Sequence, residues 1–171
     1  MATLTESELL LISKSNQDKL KNFSDGAQLV RRSRVSIKQL QVRVAKDRLK
    51  LARLQLRDAR AATTTTPKLG RTAVSRAYYA MYHAARAATY LSFGGDDHEG
   101  HSVLPTKFPA DFPNSEVWKN RLKNARLERN RADYDPYPAG DSEFLVICPT
   151  LIDEAKELIK VTQQYLITKT N

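Results

Sequence analysis

Between Ala27 and Ala62 the chain has no proline and no glycine, and within that stretch Val42, Ala45, Leu49, Ala52, Leu56 and Ala59 recur at alternating intervals of three and four residues. That spacing puts one apolar side chain per turn on a single face of an α-helix, whereas a half-buried strand needs a period of two. Alanine at every seventh position (45, 52 and 59) lets a neighbouring helix approach closely. One residue further on, Arg43, Lys46, Lys50, Arg53, Arg57 and Arg60 repeat the same spacing as a basic ridge beside the apolar seam. A second apolar set, Ile37, Leu40, Val44, Leu51 and Leu54, lies on another side. The expectation is one long helix over 27–62, buried on two sides with the ridge open between them. Such burial implies a bundle plus a further contact, such as a second subunit.

The rest of the chain reads as helices too. Thr5 to Phe23 forms a short helix, and Ser24-Asp25-Gly26 a break followed by a cap. Thr63 to Thr66 with Pro67 ends the long helix, because β-branched residues and proline favour extended backbone. A second long helix runs from Leu69 to Leu91, with a small-residue seam at Ala73, Ala77, Ala80, Ala84 and Ala87. On it Arg76, Tyr79, His83, Arg86 and Tyr90 share another face. Gly94-Gly95 stops this helix, and 96–113 is a loop with room for one helical turn. A third helix starts at Asn114 or Ser115 and carries Trp118, Leu122, Ala125, Arg129 and Ala132 on one face, so Arg129 points along the apolar side. Pro136 and Pro138 end it. The last helix spans Ser142 to Ile167, with Pro149 marking a kink or its true start. No internal repeat and no strand pattern is present.

The 171 residues suffice for one domain with a proper core. The single cysteine, Cys148, lies among Leu145, Val146 and Ile147, which fits a buried small hydrophobe and a reducing compartment and excludes an intrachain disulfide. No segment reaches the roughly 18 apolar residues of a membrane span, and Glu6 and Glu8 ahead of Leu9–Ile12 argue against a secretory signal. The expectation is a cytoplasmic protein that does not engage a membrane. The formal net charge of +9 is uneven: residues 1–70 hold 15 Lys/Arg against 6 Asp/Glu, while 71–171 balance at 13 of each. A basic half-chain suits an anionic partner such as nucleic acid, with a solvated helix face as the plainer alternative.

The stretch Ser75-Arg76-Ala77-Tyr78-Tyr79-Ala80, continued through Tyr82-His83-Ala84-Ala85-Arg86, resembles the second helix of HEPN domains. Ala45 to Ala52 looks like the first helix of the same branch. His101-Ser102-Val103-Leu104 followed by Phe108 is similar to its loop, and Arg129-Asn130-Arg131-Ala132-Asp133-Tyr134 to the close of its third helix. The likeness covers about residues 42–168. It implies an all-α fold, an antiparallel bundle of four to five helices over 42–168 preceded by a helical extension over 1–41.

In ribonuclease members of that family an arginine, a polar residue and, a few positions on, a histidine face their copies across a dimer cleft. They cleave RNA without a metal; the histidine transfers protons and the arginine steadies phosphate. Here Arg129 and Asn130 match, and Tyr134 stands where the histidine would be. A phenol with a pKa near 10 is a poor base at pH 7, so the resemblance supports the fold more than the activity. His83 is the candidate substitute, because it shares a face with Arg76, Tyr79 and Arg86. His98 and His101 sit in an acidic loop without a firm metal-ligand spacing, and no metal or cofactor is expected. The candidate catalytic set is therefore Arg129, Asn130, Tyr134 and His83. The candidate RNA- or nucleotide-binding set is Arg76, Tyr79, Arg86, Arg126, Arg131, Lys50, Arg53 and Arg57.

Two function classes follow, with a plain helical structural protein as a third. One is a dimeric RNA- or nucleotide-binding protein of a prokaryotic toxin–antitoxin or defence locus, with or without metal-independent endoribonuclease activity. The other is a non-catalytic helical module that pairs with a minimal nucleotidyltransferase or another protein. The ridge and the Arg126–Arg131 cluster outline one cleft if they meet; if they face apart, the site rests on Arg129.

Overall fold

A computed structural model describes residues 5–170. Six α-helices account for nearly all of the regular structure, and among the described residues there is no strand. The fold is all-helical, as the periodicity requires. The chain divides into two compact units that part between Leu40 and Gln41.

The first unit holds α1 (Glu6–Ser13) and α2 (Gln17–Ser33), neither of which buries a residue. Thr5 and Glu8 form a capping box on α1, and the Asn16 side chain caps α2 by accepting from the Lys19 N–H. The expected break at Ser24-Asp25-Gly26 is absent, because α2 runs straight through it. A glycine costs an exposed helix interior only about 1 kcal/mol, which does not outweigh a capped start at Asn16. The expected single helix over 27–62 is instead divided. Arg34 adopts a left-handed conformation (φ 58°) and closes α2. Ser36 and Gln39 then exchange side-chain-to-backbone hydrogen bonds as a second capping box, which opens α3 (Ile37–Thr64).

The second unit is a bundle of α3 from Gln41 on, α4 (Gly70–Ser92), α5 (Ser115–Tyr134) and α6 (Ser142–Thr168). Helix α4 is its centre and packs against both α5 and α6. Its alanines at 73, 77, 80, 84, 85, 87 and 88 are fully buried, which lets helices close in on several sides. The α3 seam Ala45, Leu49, Ala52, Leu56 and Ala59 is buried as expected. Of the second apolar set Leu40 is half-buried, while Ile37, Val44, Leu51 and Leu54 are exposed. Phe108 and Phe112, from the loop between α4 and α5, plug one end of the core, and Phe112 meets Tyr165 with ring centres 4.9 Å apart.

Two residues at the start of α4 set how it meets its neighbours. A Cβ on Gly70 would lie 2.5 Å from the Asp141 carbonyl oxygen and 3.0 Å from the Leu145 nitrogen, so the close approach of α4 and α6 requires glycine. Arg71 donates to the carbonyls of Arg131, Ala132, Asp135 and Pro138, satisfying the otherwise open C-terminus of α5. Its guanidinium also lies 4.6 Å above the Phe144 ring.

Pro149 lies inside α6 without ending it. Its missing N–H leaves the Leu145 carbonyl without its helical donor, and the Cys148 thiol approaches that oxygen at 3.6 Å. α3 ends at Thr64, inside the threonine run as expected, and the Thr63 and Thr64 hydroxyls bond back to the Arg60 and Ala61 carbonyls.

Candidate functional site

One face of α4 carries Arg76, Tyr79, His83 and Arg86, and α5 and the loop after α4 border it. Arg129 of α5 is largely buried, with 13% of its side chain exposed, and it is held from three sides. Its Nη2 donates to the Tyr79 hydroxyl at 2.6 Å and its Nη1 to Asn130 Oδ1 at 3.2 Å. Its Nε lies 2.7 Å from Asp133 Oδ2, an ion pair one helical turn along whose N–H points off the line of a hydrogen bond. The guanidinium also lies 5.3 Å from the Tyr79 ring centre and 5.2 Å from that of Tyr134. Burial works against its charge; the Tyr79 hydroxyl and the Asp133 carboxylate outweigh that and raise its pKa. Of the five guanidinium N–H groups, one on each Nη has no hydrogen-bond partner among the described residues.

His83 is half-buried, and its ring stacks loosely on Tyr79 at 6.4 Å. Burial, then the cations Arg86 and Arg48, push its pKa down to about 4, and its Nδ1 is buried without a partner. It is therefore neutral at pH 7. Arg76 stays at the edge and donates to Gln55 of α3. Arg86 is committed to the loop, where it pairs with Asp97 at 2.6 Å and approaches Glu99. Arg48 joins the same carboxylate and lies over the Tyr90 ring. Arg126 is half-buried on α5, with its Nε unpartnered. Arg131 turns to Glu128 and Glu143 instead. Tyr134, at the position of the missing histidine, is 69% exposed.

The α3 ridge does not join this cluster. Arg53 donates to Gln163 of α6, Lys50 pairs with Asp47, and Arg57 with Asp58. Lys46, Lys50 and Arg53 border a shallow groove against Gln163, Leu166 and Ile167. The α3 residues that reach the α4 face are Arg48, through Asp97, and Gln55. At 3.6 residues per turn Arg53 lies about 160° around the helix from Gln55. The ridge and Arg129 face apart, so the two basic clusters do not outline one cleft.

The residue that the sequence left outside the site is His101. Its Nδ1 lies 2.7 Å from the Tyr78 hydroxyl, and its ring stacks on Tyr82 at 4.4 Å and meets Tyr79 edge-on at 6.0 Å. The signal that could have found it is the pair Tyr78 and Tyr82, one turn apart on α4 and just around from Tyr79. His98 goes elsewhere, against the Phe93 ring and near Asp96. Among the described residues no group of three or more His, Cys, Asp or Glu side chains is placed to hold a metal ion.

The family model that matches this chain is that of the HEPN domain, over residues 42–167. The chain belongs to the HEPN domain family. Membership of that family indicates RNA-binding or ribonuclease-like function in general. No curated protein and no solved structure is matched. Among the described residues no helix is long and apolar enough to cross a membrane.

Proposed function

We propose that this chain binds single-stranded RNA, or a nucleotide, on the α4–α5 face with Arg129 as the phosphate anchor. The observation that carries the reading is the pre-organised guanidinium: Tyr79, Asn130 and Asp133 fix its plane and leave one N–H on each Nη unspent. A planar donor held this way suits two oxygens of a phosphodiester. Tyr79 and exposed Tyr134 offer aromatic faces on which bases stack. In this reading the 1–41 segment is a helical extension ahead of the 42–168 bundle. The protein works as a homodimer, with the exposed stripe Val44, Leu51 and Leu54 of α3 as the contact. It serves as a ribonuclease-like component of a prokaryotic toxin–antitoxin or defence locus in the cytoplasm.

The test is RNA affinity as salt rises. Affinity that falls with salt, and a loss of at least about tenfold in Arg129→Ala, is expected. Equal affinity of the two proteins at every salt concentration contradicts the reading.

A second reading is favoured by one observation: Asp133 already balances the charge of Arg129, which leaves a pair with no net charge. A non-catalytic module that docks a minimal nucleotidyltransferase or another protein would look like this. Tyr134→His separates the two. If that change creates a ribonuclease from an inert protein, the docking module is the natural state.

A further inference from the structure

His101 belongs to the loop between α4 and α5, and that loop is tied down around it. Tyr82 donates to the Glu99 carbonyl at 2.5 Å, and Arg86 grips Asp97 and Glu99. Stacked on Tyr82 and bonded at Nδ1 to Tyr78, the imidazole has a fixed plane and one nitrogen engaged. Among the described residues nothing hydrogen-bonds to Nε2. Tyr79 joins the two chemical groups: its ring meets His101 edge-on, and its hydroxyl accepts from Arg129. A phosphodiester on Arg129 would therefore lie beside an oriented imidazole, which is the arrangement that Tyr134 cannot supply.

Resting on the RNA-binding reading of Arg129, we infer that His101 is the catalytic base of this face, with Nε2 removing the proton of a ribose 2′-hydroxyl and Tyr78 as its positioning residue. The 2′-oxygen then bonds to phosphorus, and the bond from phosphorus to the 5′-oxygen breaks. The proton taken up by His101 returns through water to the leaving 5′-oxygen, so no atom is gained or lost overall. The products are a 2′,3′-cyclic phosphate and a 5′-hydroxyl. In the tautomer that this step needs, Nδ1–H donates to the Tyr78 oxygen. That bond survives when the imidazole is protonated.

The groups facing the imidazole are Tyr78, Tyr79, Tyr82, His83 and Arg86 from α4 and Arg126 and Arg129 from α5; from its own loop, Glu99 accepts from Tyr82 through its backbone carbonyl and approaches Arg86 through its exposed carboxylate. Burial first, then Arg129, Arg86 and Arg126, hold its pKa below the ordinary histidine value, so it is neutral and able to accept a proton at pH 7.

The experiment uses the full chain, a 5′-labelled single-stranded RNA and a chelator, with RNA affinity measured on the same samples. His101→Gln, which keeps a group able to bond Tyr78, is expected to cut formation of cyclic phosphate at least about 100-fold while affinity stays within about threefold. Added imidazole is expected to restore part of the cleavage in His101→Ala, which a merely structural histidine would not show. Arg129→Ala lowers both binding and cleavage. Unchanged cleavage in His101→Gln overturns the inference. So does a wild-type protein that binds RNA through Arg129 and forms no cyclic phosphate. Failure of the wild-type protein to bind RNA at all overturns the underlying reading and the inference with it.

Discussion

The Tyr79 hydroxyl of α4 and Nη2 of Arg129 on α5 lie 2.6 Å apart, so the position of the guanidinium is set across a helix–helix contact. Removing the hydroxyl while keeping the ring isolates that tie. Tyr79→Phe retains the aromatic face under Arg129 and loses one charge-assisted hydrogen bond of about 1.5–3 kcal/mol. Because that bond forms within the folded chain, its loss is expected to lower the melting temperature, and RNA affinity is expected to fall as well, by at least about threefold, as the guanidinium loses its fixed position. Equilibrium binding beside a melting curve checks both.

His83 makes stability depend on pH. Its folded pKa, about 4, is below the 6.5 of the unfolded chain, mainly because it is buried. Above pH 6.5 both states carry the neutral ring and stability is full. Between about 6.5 and 4 the unfolded state takes up the proton first, so stability falls as pH falls. His101 is lowered too, chiefly by burial, and adds in the same direction. His83→Gln is expected to flatten the fall, measured as the urea midpoint at pH 7.5 and pH 5. An identical fall in the variant contradicts the assignment.

The join between α4, α5 and α6 should be the bundle's sensitive point. Gly70→Ala forces a methyl against the Asp141 and Leu145 backbone and is expected to cost about 1–3 kcal/mol. Arg71→Met leaves carbonyls at the end of α5 without donors and is expected to cost about 2–3 kcal/mol. Gly26→Ala is the control, since nothing lies within 4 Å of its added methyl. It should be neutral or slightly stabilising. Chemical denaturation of the three variants gives the order.

Much of the bundle was legible because its signals are periodic and local. The seam from Ala45 to Ala59 and the alanines of α4 can be buried only as helices, and they are. The breaks were misread where two caps competed. Ser24-Asp25-Gly26 has the composition of a boundary, but the Ser36–Gln39 capping box, three residues apart, closes two hydrogen bonds and sets the true one. Arg129 was visible as an arginine on an apolar face. His101 was not, because its place depends on loop 93–114 folding back over α4, and no sequence period records a contact across 23 residues. The basic ridge misled for a related reason. Its spacing is real, yet nothing in the order of residues says which side of α3 meets α4.

The exposed stripe on α3 predicts an assembly. Val44, Leu51 and Leu54 share one side and leave apolar surface uncovered in the single chain. Leu51→Glu is expected to shift sedimentation from dimer to monomer without lowering the melting temperature. A monomeric wild-type protein, or a dimer indifferent to the change, counts against that contact.

The central claim is that phosphate is held at Arg129 and not along the ridge. It is tested most directly by comparing the RNA affinity of Arg129→Ala with that of the combined variant Lys50→Ala, Arg53→Ala and Arg57→Ala at one moderate salt concentration. A loss of at least about tenfold is expected for the single change, and a loss within about threefold for the triple one. A triple variant that loses RNA while Arg129→Ala keeps it would contradict the account.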